Sequence, residues 1–214
     1  MTEKLRNEFL TRLEAAPFIA MLRGVQHSEA VEIAEALAST GISIIEITVD
    51  SPDAYMSIER LALRISDQVL ICAGNVLTAG QATDAANAGG RVIFSPIFNA
   101  TVVEASKEKN ALSVPGVFTA TEAFSAIDAG ADALRIFPAD TLSTKGLHAL
   151  TKVLPDDTIY LPSGGITAHK VKNWMTNGAA GFGLGTSLYT PGATPEEVRD
   201  RAKVFTQILD RKDA

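Results

Sequence analysis

Just past its midpoint the chain reads Ala133-Leu134-Arg135-Ile136-Phe137-Pro138. Apolar residues dominate this stretch, which predicts a buried β-strand ending near the proline. Because successive side chains of a strand point to opposite faces, Leu134 and Ile136 share one face, and Arg135 lies on the other with Phe137. A charged side chain is seldom fully buried unless it is paired. Arg135 therefore predicts a partner inside the fold.

Similar apolar runs recur along the whole chain, at intervals of about 21–27 residues. They begin near Phe18, Ile42, Val69, Arg91, Leu112, Ala133, Ile159 and Gly181. A helical pattern follows each run, and eight strand–helix units favour an α/β protein with the architecture of a (β/α)8 TIM barrel. A doubly wound open sheet is the alternative. Because no linker or low-complexity stretch interrupts the pattern, residues 1–214 are expected to form a single domain.

Helix signals support this organisation. Leu5, Phe9 and Leu13 recur every four residues, which predicts an amphipathic N-terminal helix before the first strand. Later helices are expected to start at Ser51-Pro52, Thr78, Thr119 and Thr194-Pro195.

The composition limits the possible classes of protein. The chain is 46% hydrophobic and 21% charged, as is typical of soluble globular proteins, and its net charge of −6 argues against a nucleic-acid-binding surface. No segment is apolar for long enough to span a membrane, and the N-terminus does not resemble a signal peptide. Cys72 is the single cysteine, which excludes an intrachain disulfide and favours the cytoplasm. Its apolar neighbours indicate a core thiol.

In a (β/α)8 barrel the active site lies at the carboxyl ends of the strands. Along the second predicted strand, Glu46 alternates with Ile45 and Ile47, so it is expected on the inner face of the barrel. One interpretation is a general acid/base whose pKa is set by burial. The other is a structural ion pair, most simply with Arg135.

Two strand ends are rich in glycine. Gly164 and Gly165 follow the seventh predicted strand, and Gly185 and Thr186 follow the eighth. Glycine lets the backbone approach a ligand closely, and barrels often bind phosphate between these two loops. The pattern predicts a phosphate site, although tight strand-to-helix turns would also require glycine.

Other strand ends carry polar side chains. Arg23 follows the first strand, where it could bind a carboxylate or phosphate, and Asn75 follows the third, where it could orient a carbonyl or carboxylate. Oxygen atoms of Glu46, Asp50 and Asp140 offer a weak alternative as Mg²⁺ ligands. The histidines lack metal-ligand spacing, so no metal site is predicted.

These motifs together resemble the 2-keto-3-deoxy-6-phosphogluconate (KDPG) and 4-hydroxy-2-oxoglutarate (KHG) aldolase family, and within it the 2-dehydro-3-deoxy-6-phosphogalactonate (KDPGal) branch. The resemblance covers nearly all of the chain after Pro17. The motifs that carry it are Leu22-Arg23-Gly24, Ile45-Glu46-Ile47, Ala73-Gly74-Asn75-Val76-Leu77, Ser95-Pro96, Pro115-Gly116, Thr119-Ala120-Thr121-Glu122-Ala123-Phe124, Arg135-Ile136-Phe137-Pro138, Ser163-Gly164-Gly165 and Gly183-Leu184-Gly185.

The resemblance implies a lyase that cleaves phosphorylated 2-keto-3-deoxy acids to pyruvate and glyceraldehyde 3-phosphate. It implies a class I aldolase mechanism, a barrel that is usually trimeric, and no cofactor. Glu46 matches the general acid/base of the family and Arg23 a substrate-binding arginine, while Asn75 stands where the family commonly has threonine. The implied substrate-binding residues are Arg23, Asn75, Pro96, Phe137 and Ser163. The implied phosphate-binding residues are Gly164, Gly165, Gly185 and Thr186.

Arg135 departs from the family pattern, because it occupies the position of the lysine that forms the Schiff base. That chemistry requires a neutral amine, whereas a guanidinium stays protonated at physiological pH. All nine lysines fall in predicted helices or loops, and Lys145 is the nearest alternative in sequence.

Three functions are compatible with this departure. The first is a lyase in which Arg135 polarises a substrate oxygen and Glu46 moves the proton. The second is an isomerase or epimerase of a phosphorylated sugar acid, and the third is a non-catalytic protein that binds such ligands.

Overall fold

The computed structural model describes residues 2–210 of the 214-residue chain, in which strands and helices alternate. The strands are β1 (Phe18–Leu22), β2 (Ile44–Thr48), β3 (Leu70–Gly74), β4 (Val92–Phe94), β5 (Leu112–Val114), β6 (Gly116–Val117), β7 (Leu134–Ile136), β8 (Tyr160–Pro162) and β9 (Phe182–Leu184). The helices are α1 (Thr2–Ala15), α2 (Ala30–Ala38), α3 (Ala54–Ile65), α4 (Ala79–Asn87), α5 (Ala100–Glu108), α6 (Ala120–Asp128), α7 (Ala139–Leu150), α8 (Val171–Thr176), which a short 3-10 turn precedes, and α9 (Pro195–Asp210).

The strands form a curled parallel sheet. Six of them pair in the order β5-β4-β3-β2-β1-β9, and the other three in the order β6-β7-β8. Because the last strand lies beside the first, this order differs from that of a doubly wound sheet, whose first strand lies centrally. Isolated bridges, Tyr160 with Ala179 and Ser163 with Gly183, join the two ends of β8 to the segment around β9. The predicted α/β class is confirmed.

The expected strand starts agree with the structure to within two residues. One expected strand is divided, because Pro115 separates β5 from β6 and has no N–H to donate to a neighbouring strand. Its carbonyl still accepts a hydrogen bond from the Arg135 amide, at 2.9 Å.

Apolar side chains pack in two layers, one on each face of the strands. The outer layer lies between strands and helices and includes Ile45 and Ile47 of β2. The inner layer includes Ile44 of β2 and the three apolar residues of α1, which are Leu5, Phe9 and Leu13. The predicted N-terminal helix is therefore confirmed.

Helix starts follow the capping residues in most places. Thr78 and Thr119 form capping boxes at the starts of α4 and α6, as their sequences predicted. The expected start at Ser51-Pro52 is wrong, because α3 begins only at Ala54. Ser51 is buried instead, and its hydroxyl accepts a hydrogen bond from the Gly24 amide at 2.8 Å. None of the helices within residues 2–210 is both long and apolar enough to cross a membrane.

Candidate active site

Glu46 of β2 and Arg135 of β7 meet inside the curled sheet, as their positions on the inner face predicted. The Arg135 guanidinium donates to both carboxylate oxygens of Glu46, and the bond from Nη1 to Oε1 measures 3.2 Å. The exposed fraction of the side chain is 2% for Arg135 and 0% for Glu46. The guanidinium carbon also lies 4.6 Å from the centre of the Phe94 ring, so the cation is stabilised by the ring as well as by the acid.

Gly74 makes room for this pair, and Gly183 makes room for the Ser163 hydroxyl beside it. A Cβ atom on Gly74 of β3 would lie 1.8 Å from Oε1 of Glu46, so the carboxylate occupies the place of a side chain. A Cβ atom on Gly183 of β9 would lie 2.1 Å from the Ser163 hydroxyl and 3.7 Å from Nη2 of Arg135. Sequence reasoning recognised Gly183 only as part of the strand-end motif Gly183-Leu184-Gly185, and it missed the role of Gly74.

A cavity of about 330 Å³ opens at the carboxyl ends of β1, β7, β8 and β9. Its lining residues are Met21, Phe137, Gly164, Gly165, Ile166, Thr167, Gly183, Gly185, Thr186 and Ser187. All four residues expected to bind phosphate are among them. Because Gly183 also lies over Arg135, the buried ion pair is directly beneath this cavity.

The backbone of the cavity offers unpaired donors. The amides of Gly165, Gly185 and Thr186 donate a hydrogen bond to no acceptor within residues 2–210. Gly164 and Gly165 have positive φ angles of 91° and 72°, a conformation that glycine adopts without steric cost. Converging amides of this kind form anion-binding sites.

A second polar cluster lies on the rim, where β1, β2 and β3 end. Asp50 accepts hydrogen bonds from Nη2 and Nε of Arg23 at 2.8 and 3.1 Å, and from Nδ2 of Asn75 at 3.1 Å. Burial by itself raises the pKa of Asp50. Hydrogen bonds from Arg23, Thr48 and Asn75, together with the charge of Arg23, lower the pKa by more than burial raises it, so it lies below its ordinary value. Sequence reasoning predicted Arg23 and Asn75 here, but it missed Asp50 as the group that joins them.

The remaining predicted site residues lie further from the cavity. Ser163 is buried beneath Gly183 rather than on the cavity wall, and Pro96 packs against Gly116 of β6. Lys145 is an exposed residue of α7, and no lysine among residues 2–210 lies on a strand.

Burial raises the pKa of the Cys72 thiol well above its usual range, and the charge of Glu46 raises it further. This result agrees with the expected core thiol.

A larger cavity, of about 590 Å³, lies between α8 and α9 and is lined by Ala168, His169, Lys172, Val204, Gln207 and Ile208. None of its lining residues lies on a strand or belongs to the acid–base pairs described above. We therefore assign the candidate site to the smaller cavity. A curled parallel sheet with unpaired amides at its carboxyl edge, and with a buried acid and cation inside it, defines the class: an α/β protein with a polar cavity at the carboxyl ends of its strands.

Comparison with known proteins refines this class. The family described as "KDPG and KHG aldolase" matches residues 10–204. A probable 2-dehydro-3-deoxy-6-phosphogalactonate aldolase of Rhizobium meliloti is 41% identical over 186 residues, which is 87% of this chain and 88% of that protein. The 2-dehydro-3-deoxy-6-phosphogalactonate aldolase of Escherichia coli is 36% identical over 191 residues, 89% of this chain and 93% of that one. A solved structure described as native KDPGal superimposes with a TM-score of 0.88 at 35% identity, covering 91% of this chain and 94% of that chain. The chain belongs to the KDPG and KHG aldolase family.

Proposed function

We propose that this protein is a carbon–carbon lyase that cleaves a phosphorylated 2-keto-3-deoxy sugar acid to pyruvate and glyceraldehyde 3-phosphate. The observation that carries the proposal is the cavity of unpaired amides directly above the Glu46–Arg135 pair. The two relatives named for 2-dehydro-3-deoxy-6-phosphogalactonate match this chain over almost their whole length, which favours the galactonate substrate over the gluconate one.

In this proposal the amides of Gly164, Gly165, Gly185 and Thr186 bind the phosphate, and Phe137 forms an apolar wall beside it. The keto-acid end of the substrate lies over Gly183. Gly183 borders both the cavity and Arg135, since a Cβ atom there would lie 3.7 Å from Nη2 of Arg135. The phosphate is thus bound by neutral dipoles, and the guanidinium is left for the reacting end.

Glu46 is suited to move the proton. The Glu46 carboxylate removes the proton of the substrate hydroxyl, and the adjacent carbon–carbon bond breaks. The electron pair of that bond enters the enolate of pyruvate, and the aldehyde leaves. The same proton then returns to the enolate carbon, which completes pyruvate. General acid–base catalysis of this kind contributes roughly 10²–10⁴-fold in rate.

In this proposal Arg135 stabilises the enolate electrostatically, where a class I aldolase would form a covalent imine. A guanidinium remains protonated, so it forms no imine with the keto group. It can, however, donate hydrogen bonds to the enolate oxygen as charge develops there, and one such donor can be worth about 10²–10³ in kcat. The neighbouring Phe94 ring and the low exposure strengthen this interaction, because the site excludes water.

We further propose that the curled sheet is a closed (β/α)8 barrel in one domain of residues 1–214 and that the protein is a cytoplasmic homotrimer. The bridges between β8 and the β9 segment support closure. Exposed apolar side chains on adjacent strand-end loops, Leu77 and Ile97, support a subunit interface. Analytical ultracentrifugation tests the trimer.

Pyruvate release from the phosphorylated galactonate and gluconate substrates tests the activity. Cleavage supports the lyase. Exchange of substrate hydrogen with solvent without cleavage would instead indicate an isomerase or epimerase, and stabilisation by ligand without any reaction would indicate a binding protein.

The phosphate site has its own test. A Cβ atom at Gly185 would meet only the Met21 sulfur, at 3.7 Å, so side chains are tolerated there. Gly185→Asp places a negative charge among the amides and is expected to weaken binding of inorganic phosphate by about tenfold or more. Gly185→Asn has the same shape without the charge and is the matched control. If the two variants bound inorganic phosphate equally well, the phosphate site would have to lie elsewhere in the protein.

A further inference from the structure

Asp50 is the centre of the rim cluster and has no role in the proposed cleavage. Both of its oxygens are used, Oδ2 by two nitrogens of Arg23 and Oδ1 by the Asn75 amide group. The three residues follow three adjacent strands, so a single carboxylate fixes the positions of two side chains from neighbouring loops.

The backbone around this cluster is also held in place. Ser51, next to Asp50, accepts a hydrogen bond from the Gly24 amide at 2.8 Å and lies 3.0 Å from the Thr48 hydroxyl. Asn75 has a positive φ of 56°, which turns the end of β3 and which asparagine tolerates better than most residues. The cluster is therefore preorganised before any ligand binds.

The charges within the cluster cancel. Arg23 contributes one positive charge and Asp50 one negative charge, joined at 2.8 Å. The Nη1 donors of Arg23 make no hydrogen bond within the part of the chain that the structure describes, and the Arg23 side chain is 66% exposed. The rim thus presents hydrogen-bond donors without net positive charge.

The cluster adjoins the proposed substrate cavity. Met21 lines the cavity, and Arg23, two residues further along, follows the end of the same strand. A neutral array of donors suits hydroxyl groups, whereas an uncompensated arginine would favour a second carboxylate or phosphate.

From these observations we infer that Asp50 is a specificity-determining residue. By neutralising and positioning Arg23, it directs the rim to the hydroxylated carbons of a sugar acid and away from dicarboxylate keto-acids. The inference rests on the proposed function for its substrate class, but it concerns the rim alone, and binding can test it without turnover.

Two non-reacting probes are suitable, a polyol phosphate and a keto-dicarboxylate without a hydroxyl group, each titrated by isothermal calorimetry. Asp50→Asn retains an acceptor but frees the charge of Arg23. We expect this variant to bind the dicarboxylate about tenfold more tightly, relative to the polyol phosphate, than the wild-type protein does. Tenfold corresponds to the lower end of the range of free energies for one charge-assisted hydrogen bond. High salt should reduce this shift, because the rim is exposed to solvent. Asp50→Glu keeps the charge and should restore much of the wild-type ratio.

Asp53→Asn is the matched control. Asp53 is an exposed carboxylate on the same loop, and no bond joins it to Arg23 among the contacts within residues 2–210. Asp53→Asn removes the same charge as Asp50→Asn. If the effect were only long-range electrostatics, the ratio of dissociation constants would shift equally in both variants, and this result would overturn the inference.

An unchanged ratio in Asp50→Asn, or no binding of either probe to any of the variants, would also overturn it. If the wild-type protein releases no pyruvate but the ratio shifts as expected, the proposed lyase activity fails while the role of Asp50 stands.

Discussion

Within residues 2–210, two arginine–carboxylate pairs connect different strands or their ends, and they differ chiefly in their exposure to water. Arg135 and Glu46 lie inside the curled sheet, with 2% and 0% of their side chains exposed. Arg23 and Asp50 lie on the rim, with 66% and 46% exposed. In the interior, each charge depends on its partner because water cannot replace it. On the rim water can replace either partner, so the pair serves to position groups and set local charge rather than to stabilise the fold.

The largest expected difference between the two pairs is in how much each contributes to the free energy of unfolding. Glu46→Ala leaves Arg135 buried without its partner acid and is expected to cost about 3–5 kcal/mol in the free energy of unfolding. Asp50→Ala makes the same kind of truncation on the rim and should cost no more than about 1 kcal/mol. Urea unfolding followed by circular dichroism measures both values. Similar costs for the two variants would remove the distinction between the pairs.

A smaller loss is expected from crowding the interior pair. Gly74→Ala places a methyl group 1.8 Å from the present position of Glu46 Oε1, so the carboxylate must move away from its bonds to Arg135. We expect a cost of about 1–3 kcal/mol, as for other overpacked interiors. In Gly80→Ala, within α4, the added atom comes only within 3.9 Å of the Thr78 hydroxyl oxygen and should be neutral or slightly stabilising. A harmless Gly74→Ala would show that the ion pair has more room than we describe.

Sequence predicted the interior pair better than the rim. Alternation along β2 and β7 was sufficient to point Glu46 and Arg135 inward, because side-chain direction in a strand is a local property. The role of Gly74 was not predictable, since it depends on which side chain of the neighbouring strand leans over it. Asp50 was missed for a related reason: Asp50 and its two partners belong to three separate loops, and their meeting depends on turns such as the left-handed one at Asn75.

The same limit applies to the two local corrections. Pro115 divides an expected strand because its missing N–H interrupts pairing, although the apolar pattern continues through it. Ser51 had the sequence of a helix start, but tertiary contacts bury it and delay α3 to Ala54. By contrast, the glycine-rich ends of β8 and β9 predicted the cavity because phosphate sites recur at that position in barrels.

The smallest effect concerns pH at the rim. The pKa of Asp50 lies below its ordinary value in the folded protein. A lowered folded-state pKa contributes stability that is fully present above the unfolded pKa, about 3.9, and is lost as pH falls through the folded value. The wild-type protein should therefore exceed Asp50→Asn in stability slightly at neutral pH, and the difference should shrink below about pH 4. Chemical unfolding across this range measures it, and a difference that grows in acid would contradict the assignment of the hydrogen bonds.

The central claim is that Arg135 stabilises the enolate without forming a covalent bond to substrate. Intact-mass spectrometry after borohydride reduction in the presence of pyruvate tests it most directly, in parallel with a pyruvate-release assay. We expect the wild-type protein to release pyruvate and to gain no mass, and Arg135→Lys to gain one pyruvate-sized adduct on the substituted residue, because the lysine amine can form an imine. A pyruvate-sized adduct on the wild-type protein, at Lys145 or any other lysine, would contradict the claim and identify an ordinary class I aldolase that uses a different amine.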